Sequence, residues 1–143
     1  MLLSLLLIPL FGIFMLSVAI SYDITQYNIK ILKSITLGVT ILNLVISLVI
    51  YILFDYSSTQ FQFVQEHYEI SYFDFYLGID GLSIYFILLT TIIMPISLIS
   101  NWKSIKENIV IFLIIILLLE TSLLLVFLIL DILLFYIFLL FLF

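Results

Sequence analysis

The 143-residue sequence contains no cysteine, which excludes a disulfide framework, a thiolate metal site and iron–sulfur ligation. Any electron carrier it works with must reside on another chain. Its lone histidine, His67, cannot build a histidine-rich metal or haem site, and it stands among Gln65, Glu66 and Glu69, where no Ser/His/Asp arrangement is credible. His67 reads as a solvated surface residue rather than a switch. Glycine is scarce too: Gly78-Ile79-Asp80-Gly81 has neither the length nor the strand–helix context of a phosphate or dinucleotide loop. Arginine is absent and alanine occurs once, as Ala19. That usage suits an A/T-rich genome such as an organelle's, and equally the ordinary bias of membrane proteins toward branched apolar residues.

Charge is the most telling shortage. Only 9% of the residues are charged and 66% are hydrophobic, against about 25% and about 45–50% in soluble domains. A water-soluble fold would need a polar exterior that these residues cannot supply. The net charge is −5, and the four cations are two separate lysine pairs, Lys30/Lys33 and Lys103/Lys106. With no basic stripe, nucleic acid is excluded as a partner.

What is present is a series of apolar runs of bilayer length. Residues 2–20 carry no charge, close to the roughly 20 residues a helix needs to cross about 30 Å. Ser17-Val18-Ala19 resembles a signal-cleavage site, but no Lys or Arg precedes the run, so it is expected to be a retained span with a kink at Pro9. Polar residues interrupt the pattern over 21–33, where Tyr22 and Tyr27 suit an interfacial belt. A second span is expected over 35–54, with Gly38 and Asn43 available for helix–helix contact. Residues 55–80 are acidic and aromatic. The alternations Phe61/Phe63 and Tyr68/Ile70/Tyr72 predict a short hairpin on the membrane face. A turn over 78–81 follows, with Asp80 expected to cap a third span over 81–100. From 109 onward an almost unbroken apolar stretch would reach about 52 Å as one helix, so it must break, and Asp131 marks the place. The expectation is a fourth span over 109–130 and a partial fifth over 132–143. The fold class is thus an all-α polytopic membrane protein, one membrane domain over 1–143. Both lysine pairs fall in odd-numbered connections and so share one side, opposite the acidic loop.

Two carboxyls could carry chemistry. Glu120 sits midway along the fourth span with no other ionisable group around it. A central acidic residue costs about 2.5–3.5 kcal/mol on insertion scales, and such groups face a bundle interior or a hydrated cavity. Protonation lowers that cost, which makes Glu120 a candidate for reversible proton uptake. The alternative is a neutral carboxyl bonded to a neighbouring helix through the adjacent Thr121 or Ser122. Asp131 is the weaker candidate, because a carboxylate at a helix end can simply cap the next helix.

Specific residues also carry a resemblance. Phe61-Gln62-Phe63-Val64-Gln65-Glu66-His67, then Tyr76-Leu77-Gly78-Ile79-Asp80-Gly81-Leu82-Ser83, then Leu88-Leu89-Thr90-Thr91 are similar to the loop and third helix of the subunit 4 family of mitochondrial NADH:ubiquinone oxidoreductase. Trp102, Leu119-Glu120 and Asp131-Ile132-Leu133-Leu134-Phe135-Tyr136 extend the likeness over about 54–138. The resemblance implies an antiporter-like membrane-arm subunit of the mitochondrial inner membrane, with the lysines on the matrix side and the other membrane-arm subunits as partners. It implies no cofactor bound here, NADH and ubiquinone being substrates of the whole complex. The family's fifth helix carries a glutamate soon after Phe-Tyr-x-Phe. Here Phe135-Tyr136-Ile137-Phe138 is followed by Leu139 and Leu140, and the glutamate expected near Leu140 is missing, as are the family's later lysines. The expectation is a truncated reading frame that cannot complete a proton channel alone, with Glu120 the one pumping-related position carried over. The rival classes are a small membrane assembly protein or inert fragment, and a bacterial cation/proton antiporter subunit.

Overall fold

The computed structural model describes residues 1–20, 26–66, 76–105 and 107–142. The chain runs α1 (Leu2–Ile20), α2 (Gln26–Leu53), β1 (Gln62–Glu66), β2 (Tyr76–Ile79), α3 (Ser83–Ser100), α4 (Ile109–Leu128) and α5 (Ile132–Leu142). Four of the helices contain stretches long and apolar enough to cross a bilayer, Leu2–Ala19, Ile29–Leu53, Ser83–Ser100 and Ile109–Leu128, and α5 is a shorter apolar helix. The protein is therefore an all-α polytopic membrane protein with a small β-hairpin.

The helices alternate in direction. At one end Leu2 and Leu5 of α1, Ile50 of α2, Ile84 and Ile87 of α3 and Leu124 and Leu128 of α4 pack with Leu77 and Ile79 of β2. At the other, Leu16, Leu32, Met94, Leu98, Leu113 and Leu117 form a second apolar cluster. The starts of α1 and α3 thus lie with the ends of α2 and α4, an up-down-up-down bundle with the hairpin on one end. Outward faces stay apolar, as at Phe11, Phe14, Ile52, Leu89 and Ile111, because lipid is their solvent.

Several boundaries depart from expectation. Helix α2 begins at Gln26 rather than 35, so Lys30 and Lys33 lie on its first turns. Polarity marked the water boundary, but Gln and Lys are good helix formers and the helix simply continues past the apolar zone. Its 28 residues reach about 42 Å, more than the hydrocarbon thickness requires. Lys33 Nζ donates to the carbonyl of Trp102 and stands 5.7 Å from the centre of its ring. The start of α2 and the segment that follows α3 therefore meet at the end of the bundle away from the hairpin. There Lys33, Leu98, Asn101, Trp102, Phe112 and Leu113 line a small pocket.

The hairpin also differs. Its second strand is Tyr76–Ile79 rather than the 68–72 alternation, which lies outside the described residues, as do Tyr22, His67, Glu69 and Asp74. The pairing is antiparallel, Gln62 with Ile79 and Gln65 with Leu77, so β1 carries one extra residue. Phe63 absorbs it at φ 54°, a bulge that lets its ring pack against the end cluster. Before it, Asp55 accepts from the Ser57 hydroxyl at 2.7 Å and the Ser57 N–H at 2.9 Å, bonds that hold its carboxyl below the usual range. Gly78 and Ile79, expected in a turn, belong to β2; the turn falls at Gly81 and Leu82. Asp80 does not cap α3 with its carboxylate, which instead accepts from the neighbouring Gly81 N–H. The backbone of Asp80 serves instead, its carbonyl receiving Ile84 N–H and the Ser83 hydroxyl.

Helix α4 stops at Leu128, two residues earlier than expected, because Ile129 turns extended (φ −74°, ψ 130°). Ile129 bridges to Leu77, and Leu130 N–H donates to the Tyr76 carbonyl at 3.1 Å. The strand thus satisfies backbone groups that the break would leave bare.

Candidate functional site

Between the two apolar clusters lies a polar waist. On α2, Thr36, Thr40, Asn43 and Ser47 are spaced by four, three and four residues, which places them on one helical face. All four are buried, as are Thr90 and Thr91 of α3 and Glu120, Thr121 and Ser122 of α4. Most of the hydroxyls are satisfied within their own helix: Thr36 donates to Leu32 O, Thr40 to Leu37 O, Thr121 to Leu118 O and Ser122 to Leu119 O. Such back-bonding is the usual solution for hydroxyls in apolar helices. Two contacts cross between helices. Ser47 Oγ and Thr91 Oγ1 lie 2.8 Å apart, joining α2 to α3. Asn43 Nδ2 donates to Glu120 Oε1 at 2.8 Å, joining α2 to α4.

Glu120 is wholly buried, on the face of α4 turned into the bundle. Its partner is Asn43, not Thr121 or Ser122, whose hydroxyls turn back to their own helix. The bond satisfies only half of each group. Among the described residues, Glu120 Oε2 and Asn43 Oδ1 have no hydrogen-bond partner. An unmade bond of this kind costs about 1–3 kcal/mol, so the pair is either completed by something further or held under strain.

Asp131 does not join this site. It lies in the α4–α5 connection, where its Oδ1 accepts from Leu133 N–H at 3.2 Å and its carbonyl from Phe135 N–H at 3.0 Å. That is an N-cap of α5. Asp131→Ala is expected to cost α5 about 0.5–2 kcal/mol, seen as faster hydrogen exchange at the first-turn amides with the rest of the bundle unchanged. Leu140, where the resemblance expects a glutamate, is 72% exposed on α5. The elements that Asn43, Ser47 and Thr91 supply to the waist were not assigned as site residues from sequence. The polar periodicity of 36, 40, 43 and 47 within an otherwise apolar span was the available signal.

No family model matches the chain. Among curated proteins it is 65% identical over 106 residues to a Podospora anserina protein named "Uncharacterized 50.9 kDa protein in ND4 intron 1", covering 74% of this chain and 24% of that one. It is 45% identical over 138 residues to NADH-ubiquinone oxidoreductase chain 4 of Mycosarcoma maydis, covering 96% of this chain and 28% of the relative. With the Arabidopsis thaliana chain 4 the identity is 35% over 117 residues, 80% of this chain and 24% of the other. The chain thus spans about a quarter of the length of the curated relatives it matches. Matches of this extent, on a bundle with the expected helices and hairpin, mean that the chain belongs to the NADH-ubiquinone oxidoreductase chain 4 family, of which it represents a part.

Proposed function

We propose that the chain is a membrane-arm segment of respiratory NADH:ubiquinone oxidoreductase and contributes to proton translocation coupled to electron transfer from NADH to ubiquinone. Glu120 is the proton-exchanging group. The observation that carries this reading is a carboxyl fully buried midway along an apolar helix, half satisfied by an amide from another helix. Ionisable groups in such positions mark proton and ion routes in membrane proteins. The names of the relatives support the assignment to that complex, and with it the other membrane-arm subunits as partners and the inner mitochondrial membrane as location. The lysine-bearing end of the bundle then faces the matrix, which accords with the tendency of cationic connections to stay on the inner side.

The test places Glu120→Gln in a full-length subunit. Proton pumping is expected to fall well below the unaltered level while the large respiratory complex still forms on blue-native gels. Unchanged pumping and assembly would leave Glu120 a structural role. A low-mass band in place of comigration by the unaltered chain would favour a separate small membrane protein.

A further inference from the structure

We infer that Asn43 is the positioning residue for the Glu120 carboxyl, the two forming an acid–amide ring in which each group both donates to and accepts from the other. One half of the ring is present, Asn43 Nδ2 donating to Glu120 Oε1 at 2.8 Å. The other half is defined by what is left over. Asn43 Oδ1 can only accept, and among the described residues it has no donor; Glu120 Oε2 likewise has no partner. An ionised carboxylate offers Oδ1 nothing, since both of its oxygens are acceptors. A proton on Oε2 turns the two orphans into one O–H···O bond and leaves the pair complete. Both groups are fully buried, so in the packed bundle neither oxygen opens onto bulk water.

No other charged side chain competes for this role among the described residues. Helices α1 and α3, which pack on α4, carry no Asp, Glu, Lys or Arg, and α4 has Glu120 alone. The short helix α5 and strand β2 carry none either. On α2 the nearest cation is Lys33, ten residues from Asn43 and about 15 Å along the axis, where it is already engaged with Trp102. On release, the O–H electron pair stays on Oε2 and the proton passes to a water molecule that enters the waist. The Asn43 N–H then remains as the side-chain donor to the carboxylate. The amide therefore holds the carboxyl in place in both states and changes from two bonds to one between them.

This inference rests on the proposed role of Glu120 for its meaning, but its test is separate. Infrared spectra of the 143-residue chain in lipid nanodiscs are compared with those of Glu120→Gln. The difference is expected to contain the carbonyl stretch of a protonated carboxylic acid, shifting in deuterated water and lost in the variant. In Asn43→Leu that band should move to higher frequency, because the carbonyl loses its donor. If Asn43→Leu does not accumulate, Asn43→Gln, which sets the amide one methylene further out, should displace the same band. Carboxylate bands in place of the acid band, or an acid band indifferent to position 43, would overturn the ring. Either result leaves the pumping test of Glu120→Gln standing on its own, and a failure there would leave the ring intact without its proposed use.

Discussion

Asn43→Leu is expected to destabilise the bundle by about 1–3 kcal/mol or more, with most of the loss restored in the double variant Asn43→Leu/Glu120→Leu. The single change removes the donor to Glu120 Oε1 and strands both oxygens of a fully buried carboxyl. Leaving a buried polar group unmade carries its whole desolvation cost, whereas replacing both partners by apolar groups of similar size can be nearly neutral. Thermal unfolding in detergent micelles, followed by circular dichroism, reads both. A double variant no more stable than the single one would count against the coupling, and the single variant Glu120→Leu closes the cycle, in which coupled neighbours are expected to be non-additive. Glu120→Gln belongs to the same comparison. Its amide can accept from Asn43 and donate back, so its melting should lie close to that of the unaltered chain.

Gly12→Leu is the second large effect. At this glycine helix α1 lies against both α2 and α4. A Cβ there would lie 3.0 Å from Leu117 Cδ1 and 3.1 and 3.2 Å from the two Val39 methyls. The added side chain must push apart three helices at once, and overpacking of this kind costs about 1–3 kcal/mol. Small residues at helix crossings in lipid serve exactly this close approach, because packing and not water exclusion holds such helices together. Gly38→Ala is the control. A Cβ at Gly38 meets nothing within 4 Å, so its melting temperature should not fall. A loss of stability at position 38 equal to that at position 12 would show that the crossing does not govern the effect, since helix propensity alone favours Ala and Leu over glycine at both positions.

The helices were legible because apolar runs of bilayer length leave few alternatives, and Asp131 marked the α4–α5 break for the same reason. Less legible was whatever depended on a partner distant in sequence. The start of α2 was placed at the edge of its apolar zone, though Gln26, Asn28, Lys30 and Lys33 are all compatible with a helix that emerges into the headgroups. The turn signal in Gly78-Ile79-Asp80-Gly81 was real but fell later, since Gly78 and Ile79 are drawn into pairing with Gln62 and with the extended Ile129. Gly38 was expected at a helix contact, but of these two helical glycines it is Gly12 whose lack of a side chain the packing requires, a distinction that only the neighbours Leu117 and Val39 can make. The waist was half visible. Glu120 stood out by its isolation, and Asn43 was noted as useful between helices, but nothing local joins two residues 77 positions apart.

That separation has a consequence for how the molecule is made. Helix α2 is synthesised first, and at about 5–20 residues per second the carboxyl of α4 follows its amide by roughly 4–15 s. When the costly acidic segment leaves the translation machinery, the group able to receive it is already waiting in the lipid. The order of the segments along the chain thus spares the late arrival a solitary residence in oil, and a circularly permuted version with α4 made before α2 should insert less efficiently.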